Sequence, residues 1–235
     1  MMNCAAFVSA IVVAAGGSTR MGQPKQQIPL GGVPVLTRAV RALAAAPSVA
    51  ELVVVARETD IPVFRKLCAE AAGGRPLRLV PGGDTRQQSV AAGIAAVAPE
   101  TTHYAIHDGA RPLLTAALAE TVIREALESG AATAAVRVKD TIKLSDETGR
   151  RIEATPDRAR LWAVQTPQVF ERTLYEAALH RAAADGWDFT DDCQLAEYAG
   201  YAVRLVEGDY ANLKITTPED VAMAEGLLRM RGEII

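Results

Sequence analysis

The chain has 235 residues, of which 49% are hydrophobic, and a formal net charge of -3, which suits one large α/β domain. Nucleic-acid and membrane partners are not expected, because the charge offers no basic face and no apolar run approaches the ~20 residues that span a bilayer. The three cysteines and three histidines are scattered without zinc-site spacing, and so few cysteines are typical of a reducing cytoplasm, where we expect the protein to be located.

Short apolar runs alternate with helical patterns along the chain. The runs are rich in Val and Ala and barely alternate in polarity, which is typical of strands covered on both faces. They occupy residues 7–14, 51–56, 77–81, 104–107, 132–138 and 202–207. Helical patterns occupy 34–45, 59–72, 85–96, 115–129 and 171–184, and Thr217 caps a last helix. The order predicts a Rossmann-like α/β fold with a mostly parallel mixed sheet and helices on both faces.

One region interrupts this alternation. Residues 136–144 and 150–155 have the pattern of two strands around a polar turn. A lone two-stranded hairpin is marginally stable in water, so we expect it to pack on a second subunit. We therefore predict one domain over residues 1–235 with a protruding β-hairpin arm at about 138–158 that mediates dimerisation.

A glycine-rich loop with two basic residues directly follows the first predicted strand. Gly16 and Gly17 allow backbone N–H groups to approach phosphate oxygens, while Arg20 and Lys25 supply positive charge. Ligands of parallel sheets bind at the carboxyl ends of the strands, where this loop lies. The loop matches neither a P-loop nor a dinucleotide-binding fingerprint. A plain exposed glycine turn is the alternative interpretation.

Further motifs follow the later strands in a characteristic order. The loop itself carries Ala-Ala-Gly at 14–16, Arg-Met at 20–21 and Pro-Lys-Gln at 24–26. Later come Gly-Gly-Asp-Thr-Arg-Gln-Gln-Ser-Val at 82–90, His-Asp-Gly-Ala-Arg-Pro at 107–112, Asp-Thr-Ile-Lys at 140–143, Thr-Pro-Asp-Arg at 155–158, Gln-Thr-Pro-Gln at 165–168, Thr-Asp-Asp at 190–192 and Asn-Leu-Lys at 212–214. From about residue 8 to 225, the chain resembles the 2-C-methyl-D-erythritol 4-phosphate cytidylyltransferase family of the sugar-phosphate nucleotidyltransferase superfamily.

The resemblance implies an activity. A member of this family transfers CMP from CTP to methylerythritol 4-phosphate, giving 4-diphosphocytidyl-2-C-methylerythritol and pyrophosphate in the non-mevalonate route to isoprenoid precursors. Both reactants are anions, so catalysis is expected to depend on positive charge and alignment rather than on a general base. The resemblance also implies Mg²⁺ bound mainly through the CTP phosphates, with no separate protein metal site, and a homodimer in which the arm reaches the partner's site.

The resemblance also assigns roles residue by residue. Catalytic roles fall on Arg20, Lys25, Arg158 and Lys214. CTP contacts fall on Ala14, Ala15, Gly16, Gly17, Gly83, Asp84, Ser89 and Asp108. Contacts to the acceptor fall on Asp108, Arg111, Thr141, Arg158, Thr166, Thr190 and Lys214.

Several of these residues also have purely structural interpretations. Asp84 could cap the following helix, Asp108 and Arg111 could form a salt bridge that holds their loop, and Lys143 could protect an edge strand. We interpret His107 as structural, and Cys193 as a small buried side chain rather than a nucleophile.

The chain departs from the family pattern at two places. The spacer between Met21 and Pro24 is short, and Cys193-Gln194 stands where small residues are expected.

Competing functions remain open at this point. The nearest is ribitol 5-phosphate cytidylyltransferase, which shares the CTP loop and differs in the acceptor pocket. A molybdenum-cofactor nucleotidyltransferase shares the start of the loop but is not expected to carry the motifs at 107–112 and 165–168. A non-catalytic nucleotide-binding module would not need the retained cations, and a dehydrogenase would need the missing dinucleotide fingerprint.

Overall fold

A computed structural model of the chain describes residues 6–17 and 24–235. Its strands are β1 (Val8–Val13), β2 (Pro29–Leu30), β3 (Val33–Pro34), β4 (Val49–Ala56), β5 (Leu77–Pro81), β6 (His103–Asp108), β7 (Ala131–Arg137), β8 (Leu144–Ser145), β9 (Ile152–Ala154), β10 (Trp162–Glu171) and β11 (Arg204–Glu207). Its helices are α1 (Val35–Ala44), α2 (Ile61–Ala69), α3 (Arg86–Ile94), α4 (Ala116–Ser129), α5 (Arg172–Asp185), α6 (Asp192–Tyr198) and α7 (Pro218–Met230).

Within these residues, seven strands form one sheet in the order β11-β7-β10-β6-β1-β4-β5. β1 pairs in parallel with β4 and β6, β4 with β5, and β7 with β11. β10 runs antiparallel to both of its neighbours, β6 and β7. The predicted mostly parallel mixed sheet is therefore confirmed. Because β1 and β6 end in register, with Val13 opposite Asp108, the segments that follow them start side by side.

Helices cover both faces of the sheet, as predicted. Successive side chains of β1 alternate between two hydrophobic clusters, with Ala10 and Val12 on one face and Ile11 on the other. The first cluster contains residues of α1, α2 and α4, and the second contains residues of α3, α5 and α6. A third cluster packs α7 against β2 and the start of α1. No helix in the described part of the chain is both long and apolar enough to cross a membrane.

Two helix starts have capping boxes, in which the cap hydroxyl and a side chain three residues on bond each other's backbone. The predicted start of α7 at Thr217 is confirmed, with Pro218 first in the helix and Asp220 completing the box. For α3, however, Thr85 rather than Asp84 is the cap, because Thr85 Oγ1 accepts a hydrogen bond from the N–H of Gln88. The interpretation of Asp84 as a cap is therefore wrong.

Strand β10 and helix α6 are absent from the sequence-based elements. The middle of β10 reads Gln-Thr-Pro-Gln, a polar run with a proline that resembles a loop more than a strand. Gln165, Thr166 and Gln168 are nevertheless all buried. The ladder between β10 and β7 is interrupted between Val164 and Gln168, which accommodates the proline.

The arm at 138–158 is less regular than predicted. Only β8 and β9 pair there, and residues 138–143, which include Thr141 and Lys143, form no strand, although a strand was predicted over 136–144. The hydrogen bonds of the Asp146 carboxylate with the N–H groups of Arg150 and Arg151 tighten the turn. Its apolar side chains Leu144 and Ile152 are 53% and 66% exposed. The arm therefore contributes little to the core of its own chain.

Candidate active site

A cavity of about 230 Å³ opens at the carboxyl ends of the parallel strands. Its walls come from the loop after β1, the turn between β5 and α3, and the segment after β6. Of the residues predicted to contact CTP, it brings together Ala15, Gly16, Gly17, Gly83, Asp84, Ser89 and Asp108. Two of the predicted catalytic cations, Lys25 and Lys214, also line it.

The far end of the glycine-rich loop is anchored by a buried glutamine. Lys25 begins a 3₁₀ turn, Lys25–Gln27, and the next residue, Gln26, is 3% exposed. Gln26 Nε2 donates to the carbonyl of Ala14 at 3.0 Å, which ties both ends of the loop together. Ala14 is itself buried, and its N–H donates to the carbonyl of Val55. Arg20 lies outside the described residues.

The turn between β5 and α3 packs closely on this loop. A Cβ on Gly82 would lie 2.7 Å from the Cβ of Ala15 and 2.7 Å from Ser89 Oγ, so only glycine fits there. The N–H of Gly83 donates to Ser89 Oγ at 3.2 Å. Ser89 therefore holds the turn in place while it lines the cavity.

Asp108 is the centre of a charge cluster that lines the cavity. Lys214 Nζ lies 3.0 Å from its carboxylate, Arg111 Nε lies 3.5 Å away and Arg86 Nη2 lies 3.9 Å away. Burial acts to raise the pKa of Asp108, but the three cations outweigh it and lower that pKa to about 2. The expected Asp108–Arg111 salt bridge is thus present as one part of a larger cluster with excess positive charge.

A second cavity of about 280 Å³ adjoins the first. Arg86, Asp108 and Lys214 line both cavities and so form the wall between them. Of the residues predicted to contact the acceptor, Arg111, Thr166 and Thr190 line the second cavity as well. The arrangement can hold one anion in each cavity, with the cations Arg86 and Lys214 between them.

Arg86 is a site residue that sequence reasoning missed. It is the first residue of α3, and its Nη1 lies 2.5 Å from the buried carboxylate of Asp192 at the start of α6. Asp192 in turn accepts a hydrogen bond from the hydroxyl of buried Tyr175 at 2.5 Å. The motif at 82–90 contained Arg86, but no spacing in the sequence places it opposite a residue more than a hundred positions away.

Two predicted acceptor-binding residues lie apart from both cavities within this chain. Arg158 Nη1 donates to the carbonyl of Lys139 at 2.8 Å, and Arg158 borders a separate surface cavity at the base of the arm. Thr141 is exposed in the irregular segment before β8. The interpretation of Lys143 as protecting an edge strand is wrong, because Lys143 lies in no strand; its Nζ donates to the hydroxyl of Thr155 at 2.8 Å.

His107 and Cys193 are both buried, as expected. Burial lowers the pKa of His107 to about 4, so its ring is neutral near pH 7. Burial also raises the pKa of the Cys193 thiol, which disfavours the nucleophilic thiolate.

Comparison with known proteins agrees with this geometry. The family model described as 2-C-methyl-D-erythritol 4-phosphate cytidylyltransferase matches residues 8–230. A protein of that name from Caldanaerobacter subterraneus is 44% identical over 94% of this chain and 99% of its own length. Another from Symbiobacterium thermophilum is 45% identical over 94% of this chain and 92% of its own length.

Solved structures show the same likeness. The crystal structure of 4-diphosphocytidyl-2C-methyl-D-erythritol synthase from Anaerococcus prevotii is similar with a TM-score of 0.86 and 31% identity, covering 96% of this chain and 99% of that one. The 2-C-methyl-D-erythritol 4-phosphate cytidylyltransferase of Thermus thermophilus has a TM-score of 0.77 at 33% identity, covering 95% and 99%.

Proposed function

The chain belongs to the 2-C-methyl-D-erythritol 4-phosphate cytidylyltransferase family, and from that premise we propose that it transfers CMP from CTP to methylerythritol 4-phosphate. The products are 4-diphosphocytidyl-2-C-methylerythritol and pyrophosphate, and the reaction serves isoprenoid precursor synthesis. One observation carries the proposal beyond family membership. Two adjoining cavities at the sheet edge share a wall of Arg86, Asp108 and Lys214, so that two phosphorylated ligands would meet there.

In the proposed binding mode CTP occupies the first cavity. The triphosphate lies along the backbone of Gly16 and Gly17, and the cytosine lies against the turn that contains Gly83 and Asp84. Backbone groups of a tight turn can bond the amino donor and carbonyl acceptor that distinguish cytosine. Ser89 keeps that turn in place through its bond to Gly83.

Methylerythritol 4-phosphate occupies the second cavity, where Arg111, Thr166 and Thr190 contact it. An oxygen of its phosphate attacks the α-phosphorus of CTP, a new P–O bond forms, and the bond to the β-phosphate oxygen breaks to release pyrophosphate. The attacking phosphate is already ionised near pH 7, so no general base is required. Lys25, Lys214 and Arg20 offset the negative charge that accumulates between the two phosphates.

The family uses a divalent metal ion, and we propose Mg²⁺ held mainly by the CTP phosphates. The donor set fits that mode. Asp108 offers a single carboxylate that lines both cavities. Mg²⁺ is commonly bound through one carboxylate and substrate phosphates. When bound, the ion neutralises triphosphate charge.

The arm supports the proposal of a homodimer with shared sites. Arg158 and Thr141 lie away from both site cavities of their own chain, and the apolar side chains of Leu144 and Ile152 are more than half exposed. In a dimer the partner would cover these side chains, and the arm would bring Arg158 and Thr141 to the acceptor cavity of the partner. The chain is thus proposed to be one nucleotidyltransferase domain with an arm insertion at about 138–158, and we propose that it acts in the cytoplasm.

The test is pyrophosphate release with CTP and Mg²⁺, comparing methylerythritol 4-phosphate with ribitol 5-phosphate. Faster release with methylerythritol 4-phosphate supports the proposal, and faster release with ribitol 5-phosphate favours the related activity. CTP binding without pyrophosphate from either acceptor would instead identify a non-catalytic nucleotide-binding module.

A further inference from the structure

His107 is a fully buried titratable residue that the proposed mechanism does not use. Its Nε2 lies 3.4 Å from the carbonyl oxygen of Arg111, and its Nδ1 lies 2.9 Å from Thr166 Oγ1. A carbonyl oxygen only accepts, and a ring nitrogen lone pair facing it would be repelled. The carbonyl of Arg111 therefore favours the tautomer with the ring proton on Nε2, in which Nδ1 accepts from the hydroxyl of Thr166.

This tautomer determines what the hydroxyl of Thr166 can do. A threonine hydroxyl has one proton and two acceptor positions. In this tautomer the proton points to His107 Nδ1, and one acceptor position is taken by the N–H of Asp108 at 3.0 Å. The remaining lone pair is the only hydrogen-bonding capacity that this hydroxyl can present to the second cavity, which Thr166 lines.

We propose that His107 is a positioning residue that makes Thr166 an acceptor-only contact, so that Thr166 binds a hydroxyl of the polyol and cannot bind its phosphate. This inference rests on the proposed function. The acceptor phosphate then binds the cations: Arg111 and Lys214, which also line this cavity, and the proposed contact Arg158 of the arm. The hydroxyl of Thr166 also accepts from the N–H of Asp108, so Thr166 is linked to a residue that lines both cavities.

A double-mutant cycle on the acceptor KM tests the coupling. Thr166→Val removes the hydroxyl, and we expect the KM for methylerythritol 4-phosphate to rise about tenfold, as for one lost hydrogen bond. His107→Phe keeps a buried ring but removes the Nδ1 acceptor, and its KM should rise about three- to tenfold. In the Thr166→Val background, the same His107→Phe change should alter KM by no more than about twofold.

Three comparisons separate positioning from general structural damage. His107→Asn can present an oxygen near the Nδ1 position and should keep most of the acceptor affinity. His180→Phe makes the matched change on the exposed face of α5 and should leave both KM values at the parent level. The KM for CTP should stay within about twofold in the His107 variants, which keep the Thr166 hydroxyl that accepts from the N–H of Asp108. Additive effects of His107→Phe and Thr166→Val, or equal losses for both substrates, would overturn the inference.

The tautomer can also be measured without any activity assay. Heteronuclear NMR of the histidine ring nitrogens distinguishes protonated Nε2 from protonated Nδ1, and the chain has only three histidines to assign. We expect His107 to carry its proton on Nε2 at pH 7. A proton on Nδ1 would refute the inference even if His107→Phe failed to fold. An enzyme that released no pyrophosphate would overturn the proposed function and leave this measurement interpretable.

Discussion

The two cavities at the carboxyl ends of the strands and the arm differ in how firmly their residues are held and how deeply they are buried. At the cavities, Asp108 is only 8% exposed and lies within 4 Å of three cations. It is the last residue of β6, which pairs with a strand on each side. In the arm, Ile152 is 66% exposed, and only the short strands β8 and β9 pair. A charge cluster needs a rigid low-dielectric frame, whereas an exposed apolar arm is typical of a surface that another molecule covers. This difference fits the proposal that residues of one chain bind the nucleotide and that the arm of a second chain completes the acceptor side.

The largest expected effect concerns the cations of the sheet edge. Lys25→Ala should lower kcat by about a hundredfold or more with CTP binding retained, because the lost charge matters most in the transition state. Arg20→Ala should behave in the same way. Steady-state kinetics and CTP titration measure both quantities, with exposed Lys66→Ala on α2 as the matched control. A kcat within about threefold of the parent would contradict this role.

The next effect addresses whether the arm completes the acceptor site. Arg158→Ala should raise the KM for methylerythritol 4-phosphate about ten- to hundredfold, since a charged hydrogen bond to the phosphate is lost. Arg160→Ala removes a neighbouring exposed arginine from the same short turn and should have little effect. An unchanged acceptor KM in the Arg158 variant would argue against contact with the acceptor.

Mixing variants shows which chain supplies Arg158. When Arg20→Ala and Arg158→Ala proteins exchange subunits, mixed dimers contain one site with both parental residues if the arm acts across the dimer. Activity should then recover in part relative to either variant alone. No recovery, with subunit exchange demonstrated by differently labelled chains, would place Arg158 at the site of its own chain or at neither.

A smaller effect tests the charge cluster through pH. The pKa of Asp108 is lowered to about 2 from 3.8, so its stabilisation is present above about pH 4 and is lost as pH falls toward 2. The shift corresponds to about 2 kcal/mol. Urea unfolding of the parent and of Asp108→Asn measures the difference between their unfolding free energies. This difference should be constant from pH 7 to pH 5. It should become smaller below pH 4, because the parent then loses the stabilisation from ionised Asp108. Parallel pH profiles would show that the cluster does not stabilise the ionised form.

The smallest effect on the single chain is expected in the arm. Replacing Leu144 and Ile152 by serine should change the unfolding free energy of the dissociated chain by only about 0.5 kcal/mol, as for other exposed sites. The same pair should weaken dimerisation in sedimentation experiments, while exposed Leu127→Ser on α4 should not. An unaltered dimer would show that Leu144 and Ile152 do not form the interface.

The sequence predicted the sheet well and the polar strand poorly. Periodicity identified β1, β4 and β6 because strands covered on both faces must be continuously apolar. It missed β10, where Gln165, Thr166 and Gln168 are buried with polar partners supplied by residues far along the chain, such as Asn212 and Asp191. The predicted strands of the arm were too long, because alternating polar and apolar residues do not reveal whether anything packs against them.

What the sequence alone determined is therefore the order of elements, the sheet edge that carries the ligands, and the motifs that indicate the family. Only the tertiary structure decided that Arg86 joins Asp108 and Lys214 in the wall between two cavities. It also decided that Thr166 bonds to His107 and that Arg158 lies outside both of these cavities. Hydrophobic patterning acts locally along the chain, so it can be read from neighbouring residues. Charge clusters and hydrogen-bond networks depend on distances between segments that are remote in sequence, and those distances exist only after the sheet has formed.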